Sequence, residues 1–219
     1  MKHLFYEDWA NKRIKAITDW YGKDWFWQKK ILELGCAHGD IGTALLKLGA
    51  DVTFSDARED RLKEITEDLV SKYDFKPKTC FINNNTPWVY NEKVDLILHL
   101  GLLYHLEHWK EDIANCFAYT DNMILETVIK PNEDYYNNTY HKVYGSYKCL
   151  AASFTQKEVE EHLDSLGYNY YIIPVENSKG LIDADTFIRH VYSWNEELKP
   201  HPNIITHYRK MWYITKKIL

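Results

Sequence analysis

The chain has little cysteine, and none of it is spaced for chemistry. Cys36, Cys80, Cys116 and Cys149 form neither a zinc-ligand pair nor a disulfide framework. They read as reduced thiols, as expected of a cytoplasmic protein. No apolar run is long enough to span a bilayer, and Met1 to Asp8 lacks the apolar centre of a signal peptide. No membrane partner is expected. Positive charge is also short: 27 Lys and Arg stand against 32 Asp and Glu, a net charge of −5. That disfavours a general nucleic-acid or membrane-surface binder. Arg209, Lys210, Lys216 and Lys217 could form a local basic patch, although a solvated face is the commoner meaning of such charges. Internal repeats and low-complexity tracts are absent.

What is present is a core and many rings. The length of 219 residues suits one domain with a modest extension, and 45% hydrophobic content can fill it. Aromatic residues make up 15%, with 17 Tyr and 8 Trp. Much of this is packing, but its clustering suggests a lid or a stacking surface as well.

The most informative stretch is Lys30-Ile31-Leu32-Glu33-Leu34-Gly35-Cys36-Ala37-His38-Gly39-Asp40-Ile41-Gly42. An apolar run containing an acid ends at a glycine, two more glycines follow, and a helix-like stretch comes next. This reads as strand, tight turn and helix start. Glycines let the backbone pass close under a ligand, and the helix start offers unpaired N–H groups. The spacing Gly35-x-x-x-Gly39-x-x-Gly42 is not the G-x-G-x-x-G of dinucleotide loops. A second signal is Asp51-Val52-Thr53-Phe54-Ser55-Asp56, a strand that ends in a carboxylate about 20 residues past the turn. Such an acid can accept from both hydroxyls of a ribose, and it can equally cap the helix starting near Arg58. A third is Val94 to Leu106, an apolar strand running into Gly101 and a helix carrying His105.

The segment Glu33-Leu34-Gly35-Cys36-Ala37-His38-Gly39 resembles motif I of the class I S-adenosylmethionine (SAM)-dependent methyltransferases, written acid-x-G-x-G-x-G. It departs from that pattern at Ala37, where a negative φ is expected. The resemblance extends from about Lys30 to Val128. It implies that SAM is the cofactor and that Asp56 binds its ribose. It implies cofactor contacts from Glu33, Gly35, Cys36, Ala37, Gly39, Ala57, Arg58, His99 and Leu100. Where the family often has an acid for the adenine amino group, this chain offers Asn83 or Asn84, and the choice stays open. The stretch Gly101-Leu102-Leu103-Tyr104-His105 looks like the form found in small-molecule and some tRNA-modifying members. Arg13, on an N-terminal helix spanning Phe5 to Trp20, is the candidate clamp for the SAM carboxylate, with a solvent-facing role as the alternative.

The alternation of strands and helices implies an α/β fold, a Rossmann-like doubly wound sheet. The resemblance adds seven strands, with the last antiparallel. Residues 1–29 are expected to form a helical cap and 30–219 the SAM-binding domain. Arg58 to Tyr73 is an amphipathic helix, Lys78 to Ile82 a short strand, Glu107 to Tyr119 a helix and Asn122 to Val128 the fifth strand. Thr155 to Leu166 has a capping-box start and stops at Gly167. Residues 129–154 break the alternation with little period. They read as an acceptor lid carrying Tyr135, Tyr136, Tyr140 and Tyr144. A second insertion covers 176–202.

Methyl transfer from a sulfonium needs positioning and exclusion of water more than activation. An oxygen or nitrogen acceptor can still need a base. His105 is the candidate, because histidine titrates near neutral pH. His99, His105, His108 and Glu107 do not match a known metal-ligand spacing, and no metal is expected. The expected acceptor is a small molecule, with a tRNA nucleoside as the alternative. Two other classes compete. A nicotinamide-dependent short-chain reductase would use Gly-x-x-x-Gly-x-Gly, which the chain half-matches, and Tyr213-x-x-x-Lys217 has the spacing of its catalytic pair but lies at the extreme C-terminus. A non-enzymatic scaffold of the same fold is the third reading.

Overall fold

The computed structural model describes residues 4–130, 142–144, 147–149, 154–176, 182–183, 190–191 and 206–217. Helix α1 (Leu4–Tyr21) leads through a single turn (Lys23–Phe26) into β1 (Lys30–Leu34). Then come α2 (Asp40–Leu46), β2 (Asp51–Asp56), α3 (Glu59–Tyr73), β3 (Lys78–Phe81) and β4 (Leu96–Leu100). A short turn (Leu103–His105) precedes α4 (Trp109–Cys116) and β5 (Asn122–Lys130). The rest comprises β6 (Lys142–Tyr144), β7 (Tyr147–Cys149), β8 (Phe154–Thr155), α5 (Gln156–Ser165), β9 (Tyr168–Ile172), β10 (Val175–Glu176), β11 (Ile182–Asp183), β12 (His190–Val191) and β13 (Thr206–Lys216).

The central sheet runs β3-β2-β1-β4-β5-β13, with β9 and β12 both on the outer side of β13 and the short β8 beside β5. The first five strands pair in parallel. Strand β13 is antiparallel to both β5 and β9. This is the expected doubly wound sheet with its antiparallel final strand. The chain works outward from β1 to β3 and then returns to β4, so the strand order reverses between β1 and β4. Ligands collect beyond the C-terminal ends of strands at such a reversal.

Both sheet faces are covered, and the period of two in each strand sorts the side chains between them. Ile31, Phe54, Leu96, Leu98 and Ile124 pack under α1, α2 and α3 with Ile17, Leu45 and Ile65. Leu32, Leu34, Ile97, Met123 and Leu125 pack under α4 and α5 with Ile113, Val159 and Leu163. Strands buried on both sides leave no wet face for a polar side chain. Every charged residue within them therefore needs a partner or a proton.

The capping box of α5 forms as read, with Glu158 N–H donating to Thr155 Oγ1 at 3.1 Å. Three expectations need correction. The helix after β4 begins at Trp109, and His105 lies on a separate single turn before it. Strand β5 runs on to Lys130. Residues 129–154 are not wholly irregular either, since β6 and β7 form an antiparallel hairpin within them. Strands of three residues are too short to display a period. In the second insertion, β10 pairs with β11 and β12 pairs with β13.

Candidate functional site

The turn after β1 is held open by backbone conformations that side chains seldom adopt. Gly35, Ala37 and Gly39 have φ of +61°, +49° and +68°. The expectation of a negative φ at Ala37 is therefore wrong. Three hydrogen bonds impose the shape: Cys36 N–H to Ser55 O at 2.9 Å, Gly39 N–H to Cys36 O at 2.7 Å, and Ala37 N–H to Asp56 Oδ2 at 3.1 Å. The Cys36 side chain is buried, and burial pushes its thiol up, so it is no nucleophile.

Glu33 does not face the crevice. Its side chain lies under α2, where Oε2 accepts the Gly42 N–H at 3.1 Å. Burial pushes its carboxyl up to about 8, against the partial opposition of that N–H. Glu33 thus braces the glycine turn from beneath, which corrects its reading as a cofactor contact. Gly42 explains itself by the same geometry. A Cβ there would sit 2.4 Å from Glu33 Oε2 and 2.5 Å from Phe54 Cε1.

Asp56 ends β2 beside this turn. Its Oδ1 accepts the Arg58 N–H at 2.9 Å and its Oδ2 accepts the Ala37 N–H. Burial raises its carboxyl, and these two bonds offset part of that rise. A carboxylate offers about four acceptor positions, so each oxygen keeps capacity for a hydroxyl. Arg58, not Asp56, is the N-cap residue of α3, which corrects the capping expectation; the bond from the Arg58 N–H to Asp56 lies just before the helix. The Arg58 side chain turns to Asp60, with Nε 3.3 Å from Oδ1.

The three asparagines after β3 divide their work. Asn84 is buried, and its Nδ2 donates to Asp112 Oδ1 at 2.8 Å. It is committed to the core, which corrects its place among the adenine candidates. Asn83 is half-buried at the sheet edge, where its Oδ1 accepts the Asn85 N–H at 3.1 Å. Asn85 makes two bonds to the turn after β4, donating to His105 O at 3.3 Å and accepting the Glu107 N–H at 2.9 Å.

His99 is also turned away from the crevice. The period of β4 points it under α4, fully buried, with Nε2 2.9 Å from Asp112 Oδ2. Asp112 further accepts the Trp88 indole N–H at 2.7 Å. His99 is therefore part of a core network, not a cofactor contact. The side chain of Leu100 belongs to the core, so only its backbone reaches the strand end.

Beyond β4, Gly101 has φ +69°, and a Cβ there would lie 2.9 Å from an Arg13 Nη2. Arg13 is 7% exposed, which excludes the solvent-facing alternative. It forms a short ion pair with Glu126, whose carboxylate also accepts from Arg209 Nη1 at 2.9 and 3.1 Å. Burial alone would push Glu126 up, but the Arg13 and Arg209 guanidiniums together hold it below the usual carboxylate range. Arg209 reaches on to the Tyr104 hydroxyl at 3.2 Å, and the Tyr104 ring lies 4.1 Å from that of His105. Sequence reasoning missed Asn85, Asp112, Tyr104 and Arg209 as site-shaping residues. An acid inside a doubly covered strand was the available signal for Glu126 and its partners.

The C-terminal cations do not form one exposed patch. Arg209 is fully buried, and Lys210 is 5% exposed with its Nζ 2.6 Å from Gln156 Oε1. Tyr213 lies near the start of β5, opposite Ile124, with its hydroxyl donating to Asn122 Oδ1 at 2.6 Å. That is the far end of the parallel strands from the crevice, where a reductase tyrosine would be needed. Tyr135, Tyr136 and Tyr140 fall outside the described residues, as does the side chain of Tyr144. Among the described residues, no group of three metal-ligating side chains comes together, and no helix is long and apolar enough to cross a membrane.

No family model matches the chain. An alignment of 89 positions, covering 38% of the chain, is 34% identical to the histidine protein methyltransferase 1 homolog of Dictyostelium discoideum. The match spans 28% of that relative's length. Solved structures agree over nearly the whole chain. Magnesium protoporphyrin IX methyltransferase from Synechocystis PCC 6803 with bound SAM superposes at a TM-score of 0.63 and 14% identity, covering 99% of this chain and 86% of that one. TehB from Haemophilus influenzae gives 0.64 at 15% identity, over 94% and 62% of the two chains. A SAM-dependent methyltransferase from Clostridium acetobutylicum ATCC 824 gives 0.61 at 13% identity, over 94% and 92%. The fold is that of the class I SAM-dependent methyltransferases.

Proposed function

We propose that this chain, which carries the class I methyltransferase fold, binds SAM beyond β1 and β2 and passes its methyl group to a small acceptor. The observation that carries this reading is the pairing of the Gly35–Gly39 turn with Asp56. The turn bonds to the carboxylate through Ala37, and both carboxylate oxygens keep acceptor positions for a ribose diol. The adenosyl ligands of the magnesium protoporphyrin IX methyltransferase structures support it by fold alone.

In this reading Gly35, Cys36, Ala37 and Gly39 line the cofactor with backbone. Ala57, Arg58 and Leu100 also contribute backbone. Asn83 Oδ1 accepts from the adenine amino group. Arg13, held against Gly101 by Glu126, directs its guanidinium at the amino-acid carboxylate. SAM supplies an electrophilic methyl on a sulfonium, so the protein's tasks are orientation and dryness. His105, beside Tyr104 on the turn after β4, takes the proton of an oxygen or nitrogen acceptor. Burial of Arg209 and Lys210 favours a small molecule over a tRNA, because it removes half of the four cations that could follow a phosphate backbone.

Calorimetric titration with SAM, S-adenosylhomocysteine, NADH and NADPH tests the cofactor. Binding of the two adenosyl ligands alone is expected, and binding of a nicotinamide cofactor would overturn the reading. Asp56→Ala should weaken S-adenosylhomocysteine by roughly 10- to 100-fold, since hydrogen bonds to a charged group contribute about 1.5–3 kcal/mol. Its circular dichroism should match the parent. Undiminished affinity would remove Asp56 from the site.

A further inference from the structure

We propose that Asn85 is a positioning residue that carries cofactor occupancy from the adenine edge to His105. The inference rests on the SAM-binding reading above and adds a coupling within that site.

The Asn85 amide spans the turn after β4 like a short length of strand. Its oxygen accepts from Glu107 N–H and its nitrogen donates to His105 O, either side of Leu106. Leu106 is extended, with φ −103° and ψ 130°, and is buried. The two bonds therefore fix the peptide units that flank it, including the one bearing His105. The turn itself is short, with backbone bonds from His105 N–H to Leu102 O at 2.8 Å and from Leu106 N–H to Leu103 O at 3.0 Å. A single 3₁₀ turn has little stability of its own, so an external clasp has leverage over where the imidazole sits.

The same residue is tied to the adenine edge. Asn85 N–H donates to Asn83 Oδ1, the oxygen available to an exocyclic amino group. An amide oxygen has two lone pairs. A second donor arriving there shares the acceptor with Asn85 and redirects that bond. Between the two, Asn84 is pinned into the core by Asp112, which also holds Trp88 and His99. With its middle residue fixed, the tripeptide responds by rotation about Asn84, and the motion emerges at Asn85. The adenine subsite and the acceptor face are thereby joined through three consecutive residues.

The test needs no knowledge of the acceptor. Protein with ¹³C-labelled histidine rings is titrated with S-adenosylhomocysteine, and the His105 signal among the 10 histidines is assigned with His105→Gln. The wild-type His105 resonance should shift as the ligand saturates, following the calorimetric isotherm. In Asn85→Ala that shift should be lost while the ligand still binds. Asn85→Asp keeps an acceptor for Glu107 N–H, loses the donor to His105 O, and serves where the alanine variant does not fold. The same loss is expected there. An undiminished shift in a folded variant would overturn the coupling, as would a silent His105 in wild-type protein that binds the ligand. Absence of calorimetric binding would instead overturn the cofactor reading and this inference with it.

Discussion

Two glutamates are buried in this sheet, one in each half, and they have opposite fates. Glu33 on β1 meets one neutral N–H, that of Gly42, nine positions away. Burial dominates, and its carboxyl rises to about 8. Glu126 on β5 meets Arg13 and Arg209, 113 and 83 positions away. The two guanidiniums outweigh burial, and its carboxyl is lowered. The cofactor half uses a neutral acid to shape backbone. The half beside the turn after β4 uses a charged one to gather α1, β5, β13 and Tyr104. A buried acid alone therefore says little about a site; what it is buried with decides whether it acts as a brace or an anchor.

Neutralising the anchor should have the largest effect. Glu126→Gln keeps the shape and leaves two buried guanidiniums on a neutral amide. A loss of about 3–5 kcal/mol is expected, because removing one member of a buried ion pair strands the others. Urea denaturation at neutral pH measures it, and an unchanged midpoint would end the contrast between the two acids. Because the folded carboxyl titrates below its ordinary range, the wild-type contribution is complete above that range. It is lost as pH falls through the lowered value, so the variant should lack this acid-side decline.

The brace should respond with the opposite sign. The folded Glu33 binds its proton more tightly than the ordinary value of 4.5 and releases it only near 8. Its stabilising share is therefore full below the ordinary value and is lost as pH rises through the folded one. Relative to Glu33→Gln, the wild type should lose up to about 1.4 kcal/mol per pH unit across that window. Urea midpoints of both proteins at several pH values give the slope, and a difference that does not vary with pH would remove the assignment.

The two halves also differ in how far the sequence discloses them. The cofactor half is written locally. The glycine turn follows its strand directly, and Asp56 lies 19 positions beyond Ala37, which bonds to it. Strand period and glycines pointed to the doubly wound sheet and to the turn after β1, and the family resemblance supplied the antiparallel last strand. The other half is assembled from α1, β5 and β13, and no local spacing links Arg13 to Glu126 or to Arg209. His99 and Glu33 were misread for a related reason. A polar residue at a strand's C-terminal end looks like a ligand contact until the alternation on a doubly covered sheet is followed through. His99 then turns under α4, and Glu33 under α2. Among the asparagines the sequence left Asn83 and Asn84 as equivalent amides, and only the placement of Asp112 separated them.

Smaller changes sharpen the picture of the glycine turn. Gly42→Ala forces a methyl against the Glu33 carboxyl and the Phe54 ring, and Phe54 is fully buried. Overpacking of that kind costs about 1–3 kcal/mol. Thermal denaturation should register the loss, while a neutral outcome would mean that the brace can move aside.

The smallest effect should come from restoring the glycine that the family pattern has at position 37. Ala37 holds φ +49° because Asp56 draws in its N–H from the end of β2. A left-handed conformation costs an alanine roughly 1–2 kcal/mol. Glycine escapes that strain but makes the unfolded chain more disordered, which costs roughly 0.4–1 kcal/mol. The net expectation for Ala37→Gly is a gain of about 0.5–1 kcal/mol, read as a modest rise in Tm. A fall in Tm would mean that the alanine is not strained and that the turn adopts another shape. A rise accompanied by weaker S-adenosylhomocysteine binding would be more instructive. The strain at Ala37 would then be what holds its N–H on Asp56 and keeps the carboxylate aimed at the ribose, so the departure from the family pattern would be a stiffening of the site.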